Sequence, residues 1–353
     1  VNTVAPGIPR PKRAAGRRLG RLSREYQDVV DGTVALLQRY RKECQAQAQV
    51  AQLTAELWSE WQALWSDAAE CLAEIGSEPN SLAAAKEYTQ VQLTPELVCG
   101  PLWQQAHSKP QGYPGDYMVM DYIYDGRPRG DSPFACVAHA LGINIGQFVV
   151  KRKDLVRETI AEVVARRQEP GTVSIVSLGA GPAREVVDLA RSNRTGARPV
   201  TFVLVDQDGD ALRFAGHAVS SALASYEAGS QIRVEPRQVS VLRLLREIDP
   251  CSFVPGADMI YSAGLFDYFS NRTCRMLTRR LYEALRPGGT LLLGNMKAGT
   301  EMVWPLDLIA DWSLNYRTGE NILSWADGLK GAEISLRTEA TGYDYLLGVR
   351  KPA

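Results

Sequence analysis

Residues 173–185 read VSIVSLGAGPARE, and this stretch decides the fold. Val173 to Leu178 is an apolar run of strand length, and the glycines at 179 and 181 end it. Two glycines so placed permit a tight turn and let a ligand approach the backbone, while the helix expected next offers free N–H groups in its first turn. Gly179 and Gly181 fill the first two positions of a G-x-G-x-x-G loop, but Arg184 holds the third. That departs from the dinucleotide fingerprint, in which the third glycine allows close helix–strand packing. By itself the loop reads equally well as an ordinary strand–helix turn.

Towards the C-terminus, strand-like runs recur at 201–206, 231–239, 257–262 and 289–295, with helix-like segments near 182–193, 208–225, 241–247 and 270–286. Continuously apolar strands separated by helices predict a parallel sheet covered on both faces. Two closing runs, 333–339 and 343–350, flank Ala340-Thr341-Gly342 and predict an antiparallel hairpin. The expected class is α/β: a Rossmann-like, mostly parallel sheet of seven strands.

Towards the N-terminus the texture is helical. Tyr26, Val29, Val30, Val34 and Leu37 recur at helical spacing, as do Leu53, Leu57, Trp58, Trp61, Leu64, Trp65, Leu72 and Ile75, with Gly76 as a stop. A further amphipathic helix spans 147–168 and ends at Pro170-Gly171. The Trp stripe reads as helix–helix core or as a contact between copies, so a homodimer through these helices is one expectation. Residues 1–22 hold three prolines and the cluster Arg10, Lys12, Arg13, Arg17, Arg18 and Arg21. Their composition predicts a disordered basic tail, with a nucleic-acid arm or a transit peptide as other readings and no apolar core for a secretory signal. The expected division is a tail at 1–22, a helical lid domain at 23–150 and a sheet domain at 151–353.

Forty Lys plus Arg balance forty Asp plus Glu, so no global field favours nucleic acid or an anionic membrane. The absence of an apolar run of about 18 residues predicts no membrane insertion. The six cysteines form no CxxC pair, and His107, His139 and His217 are scattered, which argues against a metal site or a disulfide framework. Reduced thiols suit a cytoplasmic protein.

Asp206 closes the second strand run. A carboxylate there can accept both hydroxyls of an adenosine ribose, or else cap the next helix, a task open to Asp208 as well. The fourth run, Asp258-Met259-Ile260-Tyr261, leads into Ser262-Ala263-Gly264-Leu265-Phe266-Asp267-Tyr268, and Leu285-Arg286-Pro287-Gly288-Gly289 precedes the fifth. With the glycine loop and the hairpin, these pieces resemble the class I S-adenosylmethionine-dependent methyltransferases over about residues 150–353. Many members carry an acid two residues before the first glycine; Ser177 stands there, which leaves Glu185 as the candidate for the methionine amine. The resemblance implies S-adenosyl-L-methionine as cofactor, held by Gly179, Ala180, Gly181, Glu185, Asp206, Gln207, Ser240, Val241, Ser262, Ala263 and Gly264. Arg152 would pair with the methionine carboxylate, or else belongs with Lys151 and Lys153 to a solvated basic helix face.

The segment Lys109-Pro110-Gln111-Gly112-Tyr113-Pro114-Gly115-Asp116-Tyr117, taken with Gly264–Tyr268, resembles more narrowly a bacterial subgroup associated with hydroxy-fatty-acid methyl ester formation. That resemblance implies a small-molecule carboxylate acceptor. By composition the segment is a loop, which either packs across the domain junction or forms a lid. Tyr113, Asp116 and Asp267 are the candidate catalytic groups. Tyr117, Tyr268 and Trp304, with Trp312 and Tyr316, are candidates for the acceptor side, and core packing explains the last three nearly as well. A carboxylate acceptor needs no general base, whereas an amine or hydroxyl needs one within hydrogen-bond reach, for which His107 is a further candidate. The other readings are an N- or C-methyltransferase of secondary metabolism, an NAD-dependent oxidoreductase, and a non-catalytic cofactor-binding protein. Arg184 and the terminal hairpin speak against the oxidoreductase.

Overall fold

The computed structural model describes residues 22–76, 78–192, 198–225, 231–240, 243, 245 and 256–353. The basic tail up to Arg21, Val241 and most of the 241–247 segment lie outside the described residues.

The N-terminal half is built from helices whose ends follow local chemistry. Helix α1 (Arg24–Glu43) starts at Ser23, whose hydroxyl accepts the Tyr26 N–H at 3.2 Å. Helix α2 (Val50–Ile75) stops at Gly76, which adopts the left-handed φ of 62° that a side chain would resist. Four shorter helices follow: α3 (Pro79–Gln92), α4 (Thr94–Leu97), α5 (Pro101–Ser108) and α6 (Tyr117–Asp125). Helix α7 (Pro133–Ile145) is buried along most of its length, and α8 (Gln147–Arg166) leads to the sheet. Among the described residues no single helix is long and apolar enough to cross a membrane.

The sheet has seven strands: β1 (Val173–Leu178), β2 (Val200–Asp206), β3 (Ile232–Gln238), β4 (Ala257–Ser262), β5 (Leu285–Met296), β6 (Glu333–Thr338) and β7 (Asp344–Arg350). Their order is β3-β2-β1-β4-β5-β7-β6. Strands β1 to β5 pair in parallel, and β7 runs antiparallel to both β5 and β6. This is the Rossmann-like sheet with a closing antiparallel hairpin expected from the sequence. Strand β1 shows why its sequence is apolar except at Ser174 and Ser177. Val173 and Ile175 enter the core under α8, α9 (Arg184–Ser192) and α10 (Gly209–Ala224), while Val176 and Leu178 enter the one under α11 (Asn271–Ala284).

Two expectations need correction. Leu285 to Gly289 do not precede β5 but lie inside it, and Pro287-Gly288-Gly289 is an irregularity of the paired strand: Ala257 faces Leu285 while Met259 already faces Thr290, so the extra residues bulge, with Gly288 at φ 73°. The chain after β5 also does not stay with the sheet. Met296, Met302, Trp304, Leu308 and Trp312 join the hydrophobic core of the N-terminal helices. Trp304 is fully buried there, its ring 5.1 Å from that of Trp61, and it lines no acceptor pocket. Trp65 donates its indole N–H to the Glu301 carbonyl at 2.7 Å. Trp61 and Trp65 of the Trp stripe are thus buried within this chain. Trp304→Ala should cost about 3–5 kcal/mol of stability, as expected for emptying a buried aromatic site; an unchanged midpoint in denaturant unfolding would contradict the core position.

Candidate functional site

Strand order reverses at β1, which pairs with β2 on one side and β4 on the other. In open α/β sheets ligands bind beyond the carboxyl ends of the strands at such a reversal. A cavity of about 510 Å³ lies there. Its floor is the β1–α9 loop, where Gly179 and Gly181 take φ of 67° and 51°. The Gly179 and Ala180 N–H groups both donate to the Val205 carbonyl, at 2.9 and 3.1 Å, folding the loop against β2. Asp206, at the tip of β2, accepts the Gly181 N–H at 2.8 Å on one oxygen and the Asp208 N–H at 3.0 Å on the other. Asp208 rather than Asp206 caps α10, through the Asp210 N–H at 2.8 Å. Asp206 is 8% exposed and lines the cavity; burial raises its carboxyl above the usual range and these two N–H donors pull it back.

Glu185, in the first turn of α9, also lines the cavity, and Tyr261 of β4 donates its hydroxyl to it at 2.5 Å. Burial holds the Glu185 carboxyl above its ordinary value against that hydrogen bond. Arg152 reaches the cavity from α8 across Gly264, where a Cβ would stand 3.1 Å from the guanidinium. One Arg152 nitrogen donates to Asp344 of β7 at 2.8 Å, while its Nε is buried with no partner among the described residues. Asp267, just beyond β4, is 2% exposed and accepts the Met296 N–H at 2.7 Å. Burial first, and the facing Asp344 second, push the Asp267 carboxyl well above the carboxylate range, with Arg152 opposing. Asp344 is raised as well, by burial.

The 109–117 loop roofs this cavity. Gln111, Gly112, Tyr113, Gly115 and Tyr117 line it together with Gly179, Asp206 and Asp267. Gly115 is required by contact: a Cβ there would fall 2.3 Å from the Trp312 ring. The Tyr117 ring sits 5.4 Å from Phe214 of α10, and Trp312 donates its indole N–H to the Tyr268 hydroxyl at 2.9 Å. Asp311 clamps the loop's base, paired with Lys109 and, at 2.5 Å, with Lys86 of α3.

The cavity thus gathers Tyr113, Tyr117, Arg152, Gly179, Ala180, Gly181, Glu185, Asp206, Gln207, Ala263, Gly264, Asp267 and Tyr268. Asp116 is not among its walls. It is the N-cap of α6, accepting the Met118 and Val119 N–H groups at 3.0 Å each and the Gln105 amide at 2.6 Å, so its oxygens are engaged in holding the loop. Ser240 and Ser262 stand off the wall too: Val239 takes the place of Ser240, and the Ser262 hydroxyl is buried without a partner among the described residues. Trp312 lines the cavity, whereas Tyr316 turns to Asp307. Sequence reading missed Phe148, Tyr124 and Asp344. Phe148 had a signal, lying four residues before Arg152 on one helix face; Asp344, 192 residues from Arg152, had none.

No protein-family model and no curated protein matches the chain. Among solved structures it is similar to a possible exported protein from Bordetella parapertussis, at 17% identity over 94% of this chain and 98% of that one, with a TM-score of 0.49. It is similar to the CurJ carbon methyltransferase at 14% identity over 93% and 92%, TM-score 0.45. The magnesium protoporphyrin IX methyltransferase of Synechocystis, solved with its demethylated cofactor, matches at 14% identity over 66% and 94%, TM-score 0.44.

A carboxyl group whose pKa is higher in the folded than in the unfolded chain binds more protons when folded, so its contribution to stability is lost as pH rises through the folded value. For Asp267 that window runs from the ordinary 3.8 upward into the neutral range. The contribution of Asp267 to the melting temperature should therefore fall across this window, so the melting temperature of Asp267→Asn should gain on that of the unaltered protein as pH rises. Parallel melting curves for the two proteins would show that Asp267 does not titrate there.

Proposed function

We propose that the chain is an S-adenosyl-L-methionine-dependent methyltransferase acting on a small molecule. The observation that carries this reading is the buried Asp206 carboxylate at the tip of β2, facing a cavity whose floor is the Gly179–Gly181 turn. A strand-tip acid suits the two ribose hydroxyls of an adenosine ligand. Glu185 suits the ammonium of the methionine moiety: an arriving cation would supply the compensation that the carboxylate lacks in its buried site. The orphaned Nε of Arg152 suits the carboxylate of the same moiety.

These three contacts would span a ligand that is cationic at its centre and zwitterionic at one end. When bound, that group supplies an activated methyl on a sulfonium, which needs no protein nucleophile. The residues of this chain bind and align it, and the Tyr113–Tyr117 roof excludes water. Holding two reactants in attack geometry removes about 7–11 kcal/mol of barrier. A dinucleotide fits less well, because Arg184 replaces the glycine that its fingerprint places at the helix start. A carboxylate acceptor, the finer expectation, rests on the resemblance of the 109–117 and 264–268 segments.

Isothermal titration with S-adenosylhomocysteine, S-adenosylmethionine and NAD tests the reading. The first two should bind, and Asp206→Ala should weaken them at least about tenfold, the loss of a charge-assisted contact to the ribose, in a variant that still melts cooperatively. Binding of NAD alone would overturn the assignment.

A further inference from the structure

Three carboxylates line the cavity among the described residues, Glu185, Asp206 and Asp267, against one cation, Arg152. The proposed cofactor accounts for two of the acids and for the cation, since Asp206 faces ribose, Glu185 the ammonium and Arg152 the carboxylate. Asp267 is left over. One of its oxygens is engaged by the Met296 N–H, and among the described residues no protein donor meets the other. Two buried cations oppose its charge from a distance without a hydrogen bond to it: Arg152 is bonded to Asp344, and Arg317 to Asn271, Asn295 and the Phe269 carbonyl. Rings line the same cavity: Tyr268 is the neighbour of Asp267 in sequence, Trp312 bonds to the Tyr268 hydroxyl, and Phe148 lies beneath the Arg152 guanidinium at 5.8 Å. Tyr113 closes the same space from above.

Resting on the methyltransferase reading, we infer that the acceptor is an amine, held as its ammonium among these rings and deprotonated by Asp267. A cation is attracted both by ring faces and by a desolvated carboxylate. An acceptor carboxylate would gain neither attraction, and the one cation among the described residues lining the cavity, Arg152, is already bonded to Asp344. In the reaction the ammonium gives one proton to the Asp267 carboxylate. The freed nitrogen lone pair then forms the N–C bond as the C–S bond breaks, and the C–S electron pair returns to sulfur, leaving a neutral thioether and an N-methylammonium. The carboxylate acceptor implied by the subgroup resemblance is the competing outcome.

Three probes sharing a phenyl ring and differing in the terminal group decide it: phenethylamine, 3-phenylpropionate and 2-phenylethanol, titrated into the protein saturated with S-adenosylhomocysteine. Phenethylamine should bind at least about tenfold more tightly than the other two, the magnitude of one desolvated ion pair or cation–π contact, and give N-methylphenethylamine with S-adenosylmethionine. Asp267→Asn, which keeps the shape and the acceptor for the Met296 N–H, should remove that preference while S-adenosylhomocysteine still binds. Equal or tighter binding of 3-phenylpropionate, absence of phenethylamine binding up to about 10 mM, or an undiminished preference in the variant would each overturn the inference. Should the variant not fold, the order of the three probes on the unaltered protein decides alone. Failure of S-adenosylhomocysteine to bind the unaltered protein would instead remove the methyltransferase reading itself.

Discussion

One carboxylate joins the two loops that make the site. Asp206 accepts from Gly181 in the β1–α9 loop and from Asp208 in the β2–α10 loop, so the carboxyl ends of the neighbouring strands β1 and β2 are tied through a single side chain. The tie works because Gly179 and Gly181 adopt positive φ, which turns the loop's N–H groups back towards β2. Asp206 is buried in the process, and the cost of burying its charge is offset by those N–H groups, leaving its cavity-facing edge available to a ligand that brings hydroxyls.

The roof depends on a different packing event. After β5 the chain leaves the sheet and buries Met302, Trp304 and Leu308 among the N-terminal helices. That detour carries Trp312 against Gly115, and the Asp311 carboxylate to Lys86 and Lys109. The helical region is therefore not a separate body with a loop reaching across; its core is completed by sheet-domain chain, and the 109–117 loop is held from both sides. Both Lys109 and Asp311 sit at left-handed φ, 49° and 53°, a conformation that non-glycine residues hold only where their surroundings fix them.

Much of this was legible in the sequence, and the failures have identifiable causes. The bounds of β1 and β4 follow from their apolar runs because both faces are buried, leaving no alternation to blur the ends. Strand β5 was harder: Pro-Gly-Gly is a turn signal, yet here the residues bulge within a paired strand. Trp304 and Trp312 are eight residues apart, a spacing that falls near one face of a regular α-helix. The helical winding ends at Ile309 and Asp311 takes a left-handed φ of 53°, so Trp312 lies off the helix and its ring reaches the cavity while that of Trp304 stays in the core. Asp116 did carry a readable sign of its role, an Asp directly before a helical apolar run, which is the signature of an N-cap.

The charge balance of the cavity links these parts. Arg152 enters only because Gly264 has no side chain, and it is shared with Asp344, brought in by the hairpin strand that inserts between β5 and β6. The antiparallel hairpin is thus more than a closing edge. It delivers a second buried acid to the same guanidinium, so that Asp267 is left under-compensated in a site of low polarity. Buried carboxylates in that condition favour positive ligands and protons over anions.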